Sequence, residues 1–124
     1  SFKSGKWLGW QGHNCVATID LGEVKKISNV TAGCFEDTGG WIFFPKGMRI
    51  FTSTDGKTFK KMKETAYPVP TENTKRGSKM FTESFASTQA RFVKVEVLSV
   101  LKNPKWHTNK GEPCWVFVDE ILVE

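Results

Sequence analysis

Two stretches of this chain place aromatic rings among polar side chains: Glu36-Asp37-Thr38-Gly39-Gly40-Trp41-Ile42-Phe43-Phe44-Pro45 and Lys102-Asn103-Pro104-Lys105-Trp106-His107-Thr108-Asn109-Lys110-Gly111-Glu112-Pro113. That mixture suits a sugar. A pyranose presents a face of C–H groups that rests on an aromatic ring, and its rim hydroxyls want paired donors and acceptors. Trp41, Phe44 and Trp106 are the candidate platforms; Glu36, Asp37, His107, Asn109 and Lys110 are the candidate rim partners, provided both segments emerge at one end of the fold. The competing reading of each ring is a cap over the open end of a core. A third cluster, Trp7-Leu8-Gly9-Trp10-Gln11-Gly12-His13, gives Trp7 as a seal and leaves Trp10 open between seal and site.

Other chemistries find less support. Asp119-Glu120 is a carboxylate pair, but neighbours on a strand face opposite ways and do not flank one glycosidic bond together. Glu36-Asp37 has no evident third partner, and a Cys114–His107 nucleophile pair has no recognisable orienting residue. His13 and His107 are the only imidazoles, and no repeated His, Cys or carboxylate spacing suggests a transition metal. Cys15, Cys34 and Cys114 are too few for a disulfide framework and adjoin apolar segments, so they read as buried small hydrophobes. Asn29-Val30-Thr31 fits the glycosylation pattern but falls inside a predicted strand and is set aside.

The elements that must position these residues are strands. Short runs rich in Val, Ile, Phe and Thr alternate with Gly, Pro, Asn and Asp, and helix signals are nearly absent. The predicted strands are Cys15 to Leu21, Lys25 to Phe35, Met48 to Thr54, Thr58 to Met62, Lys79 to Ala86, Arg91 to Ser99 and Trp115 to Val123. Asp55-Gly56 predicts a two-residue hairpin turn, and Val93, Val95 and Val97 alternate with Phe92, Lys94 and Glu96 as the two faces of one strand. Seven antiparallel strands in 124 residues imply an all-β sandwich or jelly roll built from two packed sheets, forming one domain over residues 1–124. The long connections Glu36 to Gly47, Thr65 to Ser78 and Lys102 to Pro113 are where binding is expected.

Eighteen Lys and Arg against thirteen Asp and Glu leave a net charge of +5, with the lysines scattered as on a solvated face. The longest apolar runs, Trp41 to Phe44 and Cys114 to Val118, fall far below the roughly 20 residues of a membrane-spanning helix, so a soluble chain is expected. The opening Ser1 to Trp7 lacks an initiator Met and the order of a signal peptide, which predicts a longer parent chain.

Five motifs carry a resemblance: Trp7-Leu8-Gly9-Trp10, Ala17 to Gly22, Ser53-Thr54-Asp55-Gly56-Lys57-Thr58-Phe59, Ala90 to Val95, and Phe117-Val118-Asp119-Glu120-Ile121. In that order they resemble the coagulation factor V/VIII type C, or discoidin, domain along nearly the whole chain. Gly40 to Pro45 and Pro104-Lys105-Trp106-His107 further resemble the version at the C-terminus of bacterial family-20 β-N-acetylhexosaminidases, or chitobiases. The resemblance implies a galactose-binding-like jelly roll and a non-catalytic module that keeps a hydrolase near a glycan containing N-acetylglucosamine or galactose. It also implies a periplasmic, cell-surface or secreted location, the parent catalytic domain as a partner, and no nucleic acid. Where galactose-binding relatives place an Arg and an Asn, this chain has Glu36, Asp37 and Trp41 to Pro45. Glu120 matches an acidic position near a structural calcium ion in that family. Two further readings follow from the same features: a structural module packed on the parent domain, and a binder of anionic phospholipid surfaces.

Overall fold

The computed structural model describes residues 2–69 and 75–124, with side chains from residue 9 onward; the expected sealing role of the Trp7 ring and part of the Thr65 to Ser78 connection lie outside the described residues. Six strands follow in order: β1 (Phe2–Gln11), β2 (Cys15–Asp37), β3 (Gly47–Ser53), β4 (Lys60–Ala66), β5 (Arg76–Leu98) and β6 (Trp115–Val123), with one 3₁₀ turn at Thr38–Gly40. All pairings are antiparallel, in the order β1-β6-β2-β5-β3-β4. Among the described residues no helix is long and apolar enough to cross a membrane.

The all-β class stands, but the two sheets are halves of one. β2 and β5 are each 23 residues long, and each absorbs two of the predicted strands. Their ladder shifts register between Asp20 and Lys25 and again between Ile27 and Asn29. Irregularities of this kind bend a strand sharply without ending its pairing. Before the bend, β2 pairs with the far half of β5, which continues to β3 and β4; after it, β2 pairs with the near half of β5 and, on its other side, with β6, which continues to β1. The sheet is thereby folded into a sandwich. At the bend Gly22 has φ +87°, and the Asp20 carboxylate takes its N–H together with both arms of Arg91.

Side chains from both halves fill one core, including Val30, Ala32, Val116 and Val123 from one and Met48, Ile50, Val93 and Val95 from the other. The alternation along β5 is as predicted: Val93, Val95 and Val97 are buried and Phe92, Lys94 and Glu96 are half-buried. The three cysteines are free and buried, and burial pushes the Cys15 and Cys34 thiols up to about 12 and raises Cys114. They are packing groups.

β1 went unpredicted because its glycines depress strand propensity. It forms against β6, where the Phe117 ring lies so close over Gly9 that a Cβ would approach it to 2.6 Å. A second difference occurs at Asp119-Glu120. The register shift opposite Gly33 and Cys34 breaks the alternation there, so opposite-facing neighbours are no argument about that pair. Asp119 instead packs on the Gly33 backbone with Oδ1 buried.

Strand ends fix where the loops emerge. Gln11 is opposite Trp115, Asp37 opposite Arg76, and Gly47 opposite both Ala66 and Leu98, so the connections after β1, β2, β4 and β5 all leave one end. The other end carries the β3–β4 hairpin. Its turn is longer than two residues, because Asp55 organises a wider loop: Oδ1 accepts N–H groups from Lys57 and Thr58 at 2.8 and 3.0 Å and the Ser53 hydroxyl at 2.9 Å. Those donors, led by Thr58, hold the Asp55 carboxyl down at about 2.

A depressed folded-state pKa stabilises fully above the unfolded value of about 3.9 and ceases to do so as pH falls through the folded one. Asp55→Ala is therefore expected to lower the urea midpoint at pH 7 and to differ progressively less from the parent between pH 4 and pH 2. An unchanged deficit across that window, followed by circular dichroism, would contradict the assignment.

Candidate functional site

The loop between β2 and β3 is closed on itself. Asp37 and Ile42 exchange backbone hydrogen bonds at 2.9 and 3.0 Å, and Asp37 Oδ1 accepts the Gly40 N–H at 3.3 Å. The chain leaves the 3₁₀ turn through Trp41 at φ 66°, a left-handed conformation that costs a non-glycine residue about 1–2 kcal/mol. Such strain persists only where surroundings enforce it. Here they do: the Trp41 carbonyl accepts the Trp115 N–H at 2.7 Å, and the Phe43 N–H donates to the Trp115 carbonyl at 3.1 Å.

Thr38, 1% exposed, joins three loops. Its N–H donates to the Lys75 carbonyl at 3.0 Å, its hydroxyl oxygen accepts the Lys75 N–H at 2.8 Å, and its carbonyl accepts His107 Nε2–H at 2.8 Å. The Asn109 N–H donates to His107 Nδ1 at 3.0 Å. Because Nδ1 accepts, the proton sits on Nε2, and both ring nitrogens are committed. Asn103 closes the third loop, donating from its side chain to the Asn109 carbonyl at 2.9 Å.

The proviso on the two aromatic loops is met. Phe43, fully buried, and His107 form a floor with ring centroids 6.0 Å apart. Trp41 stands edge-on to His107 at 6.5 Å, and Trp106 lies 5.8 Å from His107 and 6.0 Å from Phe43. Both indoles are half-buried, while Asn109 and Lys110 are exposed beside them.

Other candidates fall elsewhere. His107 and Glu36 are buried, at 9% and 7% exposure, so neither is a rim group. His107 is a strut, and Glu36 faces inward with its carboxyl pKa raised by burial, an effect opposed by Lys75 and Lys79. Asp37 serves as the cap of the 3₁₀ turn. Trp10 packs against the core as a seal. Phe44 turns away from the indoles and meets Phe81 edge-on at 5.4 Å. Among the described residues no three His, Cys, Asp or Glu side chains gather, at Glu120 or elsewhere. Thr38 and Asn103 were missed by sequence reasoning; a small polar residue inside an aromatic loop was the available signal.

The family model described as F5/8 type C domain matches residues 2–118. No curated protein matches the chain. Among solved structures it is similar to chitosan-binding module 1, derived from a chitosanase/glucanase of Paenibacillus sp. IK-5, with 15% identity over 94% of this chain and 75% of that one at a TM-score of 0.57. It is similar to the CBM32 of AlyQ in complex with 4,5-unsaturated mannuronic acid, with 17% identity over 95% and 76% at 0.57. A CBM32 module from Clostridium perfringens, in complex with GalNAc-beta-1,3-galactose, shares 19% identity over 84% of this chain and 64% of that one at 0.48. The chain thus spans 64% to 76% of the length of these structures.

Removing the strut takes the acceptor from the Asn109 N–H and cuts the side-chain tie from the third loop to the Thr38 carbonyl, which still accepts the Trp41 N–H. His107→Ala is expected to lower unfolding free energy by about 2–4 kcal/mol. Urea denaturation checks this, and a loss below about 0.5 kcal/mol, the level of an ordinary surface change, would show that His107 does not hold the loops.

Proposed function

The chain belongs to the F5/8 type C domain family, and on that premise we propose that it is a non-catalytic carbohydrate-binding module of a longer, exported bacterial glycoside hydrolase. The observation that carries the reading is the pair of half-exposed indoles, Trp41 and Trp106, seated on a buried floor where the long loops converge. The sugar's C–H face lies against an indole, while Asn109 and Lys110 reach its hydroxyls. Rigidity aids affinity, because loops already hydrogen-bonded to one another lose little freedom on binding.

The ligand we infer is a glycan containing N-acetylglucosamine or galactose, and the parent a family-20 β-N-acetylhexosaminidase, to whose C-terminal module Gly40 to Pro45 and Pro104 to His107 are similar. Two of the structural neighbours, a chitosan-binding module and a CBM32 in complex with an unsaturated mannuronic acid, support carbohydrate as the ligand class. A phospholipid surface has less support: among the described residues the exposed large hydrophobics Val16, Val24, Val69 and Met80 lie on separate segments.

Titration calorimetry with N,N′-diacetylchitobiose and lactose tests the reading. Trp106→Ala is expected to weaken binding about 5- to 150-fold, as loss of a ring contact worth about 1–3 kcal/mol requires, with the thermal midpoint nearly kept. Undiminished affinity in folded Trp41→Ala and Trp106→Ala, or no heat with any glycan, would overturn it.

A further inference from the structure

A separate cavity of about 410 Å³ opens between β5 and the loop that precedes β3. Its volume falls within the roughly 300–1,000 Å³ of small-ligand sites. Alternation along β5 sends Lys79, Phe81 and Glu83 to one side. Phe44, Pro45, Tyr67 and Pro68 supply the rest of the lining. Among the described residues no strand pairs with the outer edge of β5 over residues 76–84, so its backbone donors and acceptors add to the polar lining.

The walls are aromatic. Phe81 packs edge-on to Phe44 at 5.4 Å and tilted against Tyr67 at 4.7 Å. At the base, buried Glu83 accepts the Thr65 hydroxyl on one carboxylate oxygen and the Tyr67 hydroxyl on the other, both at 2.6 Å. These donors fix its orientation, and no described Lys or Arg lies within ion-pair distance of it. At the mouth, exposed Lys79 holds its ammonium 5.0 Å from the Phe81 ring centroid.

This polarity selects among ligands. An anion meets the fixed Glu83 carboxylate, and a cation meets Lys79 on entry. An apolar molecule strips water from Glu83 and returns no hydrogen bond. A neutral sugar satisfies all three features: its hydroxyls donate to Glu83 and accept from Lys79, and its C–H face rests on Phe44 or Tyr67. We propose that this cleft is a second binding site, taking one neutral sugar residue of a glycan. It extends the carbohydrate-binding reading but stands on different side chains, so either can fail alone.

The test is a ¹H–¹⁵N titration of the chain with lactose and N,N′-diacetylchitobiose, with the glucosamine dimer and the galacturonate dimer as charged comparators. The amides of Phe44, Tyr67 and Met80 to Glu83 are expected to shift with a neutral probe. Glu83→Gln should weaken that response at least tenfold, and Trp106→Ala should leave it unchanged. Should Glu83→Gln fail to fold, Lys79→Met, a change at an exposed position, is expected to weaken the response about threefold. Shifts confined to residues 106–110 would overturn the second site and leave the loop site standing. Stronger binding of either charged dimer at the cleft, or an undiminished response in folded Glu83→Gln or Lys79→Met, would overturn the assignment to a neutral sugar.

Discussion

Loops that leave water must pair their backbone groups, and at the end of this sandwich the pairing converges on Thr38. Its N–H, hydroxyl and carbonyl link the connection after β2 to those after β4 and β5. A buried unpaired amide or carbonyl costs about 1–3 kcal/mol, so the three loops hold one another in a single arrangement. The left-handed Trp41 and the committed His107 ring are consequences of that closure. The indoles are presented by it.

The same economy of hydrogen bonds explains the folded sheet. Ending β2 at Leu21 would free a row of backbone groups beside the core, whereas a bend at Gly22 keeps the ladder to β5 on both sides. The two long strands then belong to both halves of the sandwich and bring the remote connections to one end. This is why an aromatic loop at residues 38–46 meets another at residues 99–114 without any disulfide among the described residues.

Much of the architecture was legible in the sequence, since β-branched alternation at Val93, Val95 and Val97 reports burial directly. Continuity was not, because Gly22 and Glu23 read locally as a break and only the partner strand shows that pairing resumes. β1 was hidden for a related reason: Gly5 and Gly9 lack strand preference, and their place is set by β6. The indoles were legible from composition and loop length, whereas their shared end follows only from the strand pairing. Polar roles were not. His107, Glu36 and Asp37 have the chemistry of a rim, but hydrogen-bond demand inside the loops draws two of them to structural work and burial takes the third. Phe43 and Phe44 are alike in composition, and only the path of the chain sends one beneath the indoles and the other into the β5 cleft.

Indole N–H resonances separate presented rings from packed ones in one experiment. On saturation with N,N′-diacetylchitobiose, the Trp41 and Trp106 signals should move while those of Trp10 and Trp115 stay in place. Unmoved Trp41 and Trp106 signals at saturation, or movement of Trp10 or Trp115 in their stead, would contradict the account.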